Sequence, residues 1–130
     1  MVIDSSALIA ILLGEREWRE LARAIDRDPT RLVSSVSVLE ASLVSFARLG
    51  ADGLDELDLL LNRIACHTRA FTAEDIPLAR QAFVRFGKGR HPAALNFGDC
   101  FSYALSKRSG ERLLYKGHDF ALTDVDGVDY

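Results

Sequence analysis

The sequence predicts a three-layer α/β/α sandwich around a central, mostly parallel sheet of four to five strands. Two observations carry this. Short runs able to form buried strands (Met1–Ile3, Arg31–Ser34, Cys66–Phe71, Leu113–Tyr115) recur between longer segments with helical apolar spacing. Strands alternating with helices or helix pairs are the pattern of parallel βαβ units. The 130 residues hold no internal repeat, low-complexity tract or linker, so one domain over 1–130 is expected.

The elements follow in order. Met1-Val2-Ile3 is a short buried strand that stops at Asp4, and Ser5 and Ser6 offer caps for a helix from Ala7 to Leu13, ended by Gly14. A second helix, from about Glu15 to Arg27, carries Trp18, Leu21, Ala22 and Ile25 on one stripe, and Asp28-Pro29 breaks it. After the second strand, Ser37 and Glu40 have the spacing of a capping box, opening a helix with Leu39, Leu43 and Phe46 on one face. Gly50 closes it. The next helix, about Leu54 to Ala65, is leucine-rich enough to predict packing on two sides.

Beyond the third strand, Thr72 and Asp75 form another capping box for a helix carrying Ile76, Ala79, Phe83 and Phe86. A loop with Gly89 and Pro92 follows. Asn96 then caps a helix from Phe97 to about Ser109, closed by Gly110. A weaker fifth strand is predicted around Leu122 to Val125.

Composition narrows the class. The chain is 48% hydrophobic and 27% charged, ordinary values for a globular protein with a real core. A net charge of -3 argues against a sequence-independent nucleic-acid coat and leaves room for a local basic patch. Cys66 and Cys100 lack C-x-x-C spacing and read as free thiols in a reducing compartment. The apolar run Ala7–Leu13 is too short to cross a bilayer and follows Asp4 with no basic leader. A cytoplasmic protein, without signal peptide or membrane association, is expected.

The acids hold the functional signal. Each has a structural reading on its own: Asp4 as a helix N-cap, Glu40 and Asp99 as capping-box acids, Asp119 as a turn residue. Jointly they say more. Asp4 and Asp119 each follow a strand, and Glu40 and Asp99 each sit in a helix's first turn. In a parallel sheet such positions gather at one edge, where ligands of open α/β folds bind. Four carboxylates there repel one another, and a hard divalent cation such as Mg²⁺ or Mn²⁺ relieves that repulsion. His67, His91 and His118 are scattered, which disfavours zinc.

Asp4 after an apolar strand, Glu40 at a helix start, Asn96-Phe97-Gly98-Asp99-Cys100-Phe101 and Leu113-Leu114-Tyr115-Lys116-Gly117-His118-Asp119-Phe120 together resemble a PIN domain. More narrowly, the chain resembles the VapC toxins of bacterial toxin–antitoxin pairs, from residue 1 to about residue 126. The resemblance implies that Asp4, Glu40, Asp99 and Asp119 are the catalytic and metal-binding quartet of a ribonuclease using one or two Mg²⁺ or Mn²⁺ ions. It also implies that Ser6 steadies the site and that Asn96 is a polar supporting position. Many relatives carry Ser or Thr ahead of the fourth acid, where this chain has Tyr115 and Lys116. Asp124 is therefore kept as an alternative fourth acid or outer group.

An RNA substrate needs positive charge beside such a cluster. Between Ile76 and Gly98 there is no acid, while Arg80, Arg85, Lys88, Arg90 and His91 fall in that window. Arg85, Lys88, Arg90 and His91, with Lys116, are the expected RNA-guiding residues, and the expected substrate is a structured RNA with an exposed loop. The family resemblance further implies a cognate VapB-type antitoxin, anchored near Trp18 and neighbouring apolar helix residues, and a homodimer.

Two other classes compete. A receiver-like Mg²⁺-binding signalling domain needs adjacent acids after the first strand and an acceptor Asp after the third, neither of which this chain has. A non-catalytic protein-binding module on the same scaffold predicts that Asp4 and Asp99 tolerate substitution.

Overall fold

A computed structural model describes residues 1–130. Four strands, β1 (Val2–Ile3), β2 (Leu32–Ser34), β3 (His67–Arg69) and β4 (Leu113–Leu114), pair in parallel throughout in the order β3-β2-β1-β4. Val2 lies opposite Leu32 on one side and Leu113 on the other. Because side chains alternate across a strand, neighbouring residues feed two different cores. Ile3, Val33 and Leu114 join one cluster, and Val2, Leu32 and Leu113 join the second.

The first cluster is roofed by α1 (Ser5–Leu12), α2 (Trp18–Arg27), α3 (Ser35–Leu49) and α4 (Ala51–Arg63), through Leu8, Ile25, Ala41 and Leu57. The second is roofed by α5 (Ile76–Phe86) and α6 (Asp99–Ser109), through Phe86, Tyr103 and Leu105. The expected three-layer sandwich is the observed architecture. Gly110, at φ 70°, ends α6 in a left-handed turn that suits a residue without a Cβ.

Local details differ from expectation for identifiable reasons. The capping box Ser37–Glu40 does not form. Ser34, extended at the end of β2, caps α3 by accepting the Val36 N–H at 3.3 Å, so Ser37 is already inside the helix and buried. Asp4 caps α1 as its own reading has it, but the helix starts at Ser5 and takes in both serines instead of being capped by them. The Thr72–Asp75 box forms, opening a 3-10 turn (Ala73–Asp75) that runs into α5. No fifth strand spans Leu122–Val125. Phe120–Leu122 form a 3-10 turn instead, and only a single parallel bridge pairs Leu113 with Gly127.

The leucines of α4 do not pack on two sides: Leu57 is buried, while Leu59 is 56% exposed. In α3 the pattern is inverted. Small residues Ser37, Ala41 and Ser45 face inward, and Leu39, Leu43 and Phe46 are left exposed. α4 approaches this helix closely at Gly53, where a Cβ would lie 2.5 Å from the Ser45 carbonyl oxygen.

Candidate active site

Four carboxylates from four elements meet at the carboxyl edge of the sheet. Asp4 ends β1, Glu40 comes from α3, Asp99 opens α6, and Asp119 lies in the turn after β4. With Ser5, Ser6, Asn96 and Lys116 they line a cavity of about 230 Å³.

Each acid is held differently. Asp4 is buried, and both its oxygens are occupied. Oδ2 accepts from the Ser6 N–H at 3.0 Å and the Ser6 hydroxyl at 2.6 Å, and Oδ1 accepts from the Ser102 hydroxyl at 2.6 Å. The Ser6 oxygen in turn accepts the Lys116 N–H at 3.0 Å, tying β1 to the chain beyond β4. Ser102 lies 3.1 Å from the Ser37 hydroxyl. With its own proton committed to Asp4, Ser102 accepts from Ser37, a buried relay from α3 through α6.

Glu40 Oε2 accepts from the Ser5 hydroxyl at 2.8 Å. Its carboxylate rests against Gly98, where a Cβ would lie 2.4 and 2.6 Å from the two Glu40 oxygens. Asp99 and Asn96 form a reciprocal cap: the Asn96 N–H donates to Asp99 Oδ2 at 2.7 Å, and the Asp99 N–H donates to Asn96 Oδ1 at 3.0 Å. Asp119 is exposed and has no protein partner.

Burial raises the Asp99 carboxyl to about 7. The Asn96 N–H pulls it down, and the charges of Asp4, Asp119 and Glu40 push it up again. Burial is the main cause, and the three neighbouring carboxylates add to it, as like charges sharing a site do. No three acids are drawn together tightly enough to cage a metal ion by themselves. An all-oxygen donor set of this looseness suits Mg²⁺ or Mn²⁺ kept partly hydrated, not a cation that needs a closed protein cage.

The other expected residues fall in different places. Asp124 is not at the cavity. Its carboxylate accepts from the Tyr103 hydroxyl at 2.8 Å and pairs with Arg85 at 2.7 Å and Lys107 at 3.3 Å. Burial raises its pKa, but those three partners outweigh this and hold it below the ordinary value. As a fourth acid it is corrected to a clamp between α5, α6 and the C-terminal segment, because its charge is already neutralised there.

Arg85 is thereby half of an ion pair. His91 is structural: Nδ1 accepts the Ala93 N–H at 3.1 Å, and its ring meets Phe86 edge-on at 5.2 Å. Lys88 and Arg90 are exposed in the turn after α5. Lys116 reaches the cavity, yet its ammonium pairs with Glu15 and with Glu17 at 3.7 Å. Trp18 lines a separate cleft with Ile11, Leu12, Leu59 and Leu60, its ring under the Arg19 guanidinium at 4.8 Å.

Sequence reasoning missed Ser5, Ser37 and Ser102 as supports of the acids. Ser102 carried a usable signal, standing one helical turn after Asp99.

An all-parallel four-stranded sheet with acids gathered at its carboxyl edge is the arrangement of a PIN domain, and it is the family model of the PIN domain, matching residues 1–126, that fixes the class. The chain is 51% identical to a protein of Mycolicibacterium smegmatis named "Ribonuclease VapC", over 98% of this chain and 99% of that one. It is 50% identical to "Ribonuclease VapC30" of Mycobacterium tuberculosis, covering 98% of both chains. The crystal structure of Mycobacterium tuberculosis VapC20, described as a sarcin-ricin loop cleaving toxin, shares the fold at TM-score 0.80 and 17% identity, over 99% of this chain and 98% of that one. This chain belongs to the PIN-domain family, and within it to the VapC group.

Proposed function

We propose that the protein is a Mg²⁺- or Mn²⁺-dependent endoribonuclease, the toxin of a type II toxin–antitoxin pair. The observation that carries this is the convergence of Asp4, Glu40, Asp99 and Asp119 on one cavity, with Asp99 raised to about 7 by burial and by its three acidic neighbours. The names of the VapC relatives support the choice of RNA. A receiver-like domain has no support here, since β3 ends at Arg69 and is followed by Ala70, with no acid to phosphorylate.

One or two bound cations would acidify a water and neutralise charge on the scissile phosphate. Asp4 and Asp99 are the residues to hold them, directly or through water. Asp4 suits this because Ser6 and Ser102 fix its carboxylate. Glu40, fixed on Oε2 by Ser5 with Oε1 left free, and Asp119, free on both oxygens, would orient the attacking water. Lys88 and Arg90 would guide the RNA backbone, and Lys116 would screen the cavity's negative charge.

The Trp18 cleft between α1, α2 and α4 is the proposed seat of an antitoxin helix or strand. The exposed i, i+4, i+7 stripe Leu39, Leu43 and Phe46 is the proposed homodimer seam, since such a stripe is self-complementary about a twofold axis. The expected setting is the cytoplasm; no helix is long and apolar enough to cross a membrane.

The test is Asp99→Ala with RNA as substrate. The variant should fold and lose divalent-dependent cleavage, as the wild type should in excess EDTA. Undiminished cleavage in either case refutes the reading, and would favour a non-catalytic module or another active centre.

A further inference from the structure

Beside the carboxylate cavity lies an apolar groove of about 570 Å³ lined by Phe71, Ile76, Ala79, Arg80, Phe83 and Phe97, among others. That volume is in the usual range for small-molecule sites, roughly 300–1,000 Å³. The Asn96–Cys100 turn separates the two. Asn96 and Asp99 line the cavity, whereas Phe97 and Cys100 line the groove. Phe97 is thus within about 7 Å of Asp99 along the backbone.

Phe97 is 76% exposed, an unfavourable place for so large an apolar ring. It is nonetheless ordered by its neighbours: Phe101 meets it edge-on at 4.8 Å, and Phe71 meets Phe101 at 4.6 Å. Arg80 is the only charged residue lining the groove, and it has no ion-pair partner. An exposed aromatic ring backed by other rings, with an uncommitted guanidinium close by, is how single-stranded nucleic acids are held without sequence readout.

We infer that Phe97 is the stacking platform for an unpaired RNA base flanking the cleaved bond, and that Arg80 meets the adjoining phosphate or the base itself. This rests on the ribonuclease reading and extends it to the geometry of the substrate, which must be single-stranded at the cut. The occupant is a nucleobase and not a second copy of the chain. The groove adjoins the acidic cavity, and Arg80, exposed and without an ion-pair partner, offers the one charge along it that a phosphate beside a stacked base would meet.

The experiment uses the full chain and a short single-stranded RNA bearing 2-aminopurine at successive positions, whose fluorescence falls on stacking. Binding is measured in EDTA and cleavage with Mg²⁺. The wild type should quench the probe at one position next to the cleavage site. Phe97→Ala should abolish that quench and weaken binding by about 5- to 150-fold, the range that base-on-aromatic stacking supplies, with the loss appearing in KM more than in kcat. Phe97→Trp should retain both.

Unchanged binding and quenching in Phe97→Ala, with the wild type still cutting RNA, overturns the platform alone. A wild type that neither binds nor cuts RNA overturns the ribonuclease reading as well. A change in oligomeric state in Phe97→Ala, with RNA binding intact, assigns the groove to a second copy instead.

Discussion

Ser102 donates its hydroxyl proton to Asp4 across 98 residues of sequence, at 2.6 Å and out of contact with solvent. The bond joins the acid that ends β1 to the helix that Asp99 opens. The spacing of two members of the carboxylate cluster therefore depends on a residue that is not itself acidic. Ser37 stands behind Ser102 and makes the arrangement directional.

Removing that hydroxyl leaves a buried carboxylate oxygen without its donor. Ser102→Ala should cost about 1–3 kcal/mol of stability. It should also reduce Mg²⁺ affinity or cleavage by about 10- to 100-fold, as loss of an outer hydrogen bond to a ligand does. Urea unfolding and a Mg²⁺ titration of cleavage measure the two effects. Unaltered metal dependence would show that Asp4 does not need the bond.

Gly98 makes a different prediction. The nearest atoms to a Cβ there are the end of the flexible Glu40 side chain, its oxygens at 2.4 and 2.6 Å, so the glutamate moves and the fold survives. Gly98→Ala should change stability by less than about 1 kcal/mol while cleavage falls at least as far as in Glu40→Gln. Cleavage at the wild-type rate would exclude Glu40's position from the mechanism.

The raised pKa of Asp99 sets a pH dependence. Folded, this carboxyl titrates near 7; unfolded, near its ordinary 3.8. Between those values the folded chain holds a proton that the unfolded chain has released, so stability falls as pH rises through the window and levels off above it. Asp99→Asn removes the effect. The wild-type minus Asp99→Asn difference in thermal midpoint should therefore turn against the wild type from about pH 4 to 7 in EDTA. Mg²⁺, which favours the ionised acid, should shrink that slope. A flat difference would contradict the burial of Asp99.

Salt dependence tests the basic turn after α5. Arg85 is neutralised by Asp124, so Lys88 and Arg90 are the two free cations there. Neutralising both should lower the slope of log affinity for single-stranded RNA against log salt by about 1.4, at about 0.7 per phosphate contact. Arg85→Gln should lower it less and instead loosen the Asp124 clamp, seen as a small loss of stability. An equal effect from Arg85 would mean that RNA displaces Asp124.

Features governed by neighbours in sequence were legible beforehand. Short apolar runs, the Asn96–Asp99 reciprocal cap, the Thr72–Asp75 box and Gly110 all act within one turn of chain, so spacing reveals them. Three of the four acids were legible for a related reason: Asp4 and Asp119 follow strands and Asp99 opens a helix, whereas Glu40 lies beyond the first turn of α3. Glu40 arrived at the right place by a partly wrong argument, since Ser34 and not Ser37 caps its helix.

What the sequence by itself determined is the alternation of strands and helices, hence a parallel sheet whose carboxyl edge collects Asp4, Glu40, Asp99 and Asp119. Tertiary structure alone decided which side chains serve those acids and which cations stay free. Ser102 reaches Asp4, Gly98 yields to Glu40, and Asp124 captures Arg85, over separations of tens of residues that no periodicity encodes. It also decided that α3 buries Ser37, Ala41 and Ser45 and leaves Leu39 and Leu43 exposed, with Ser37 meeting Ser102 of α6. Local hydrogen bonds and apolar spacing are written along the chain, whereas the pairing of distant polar groups exists only once two cores have brought the helices together.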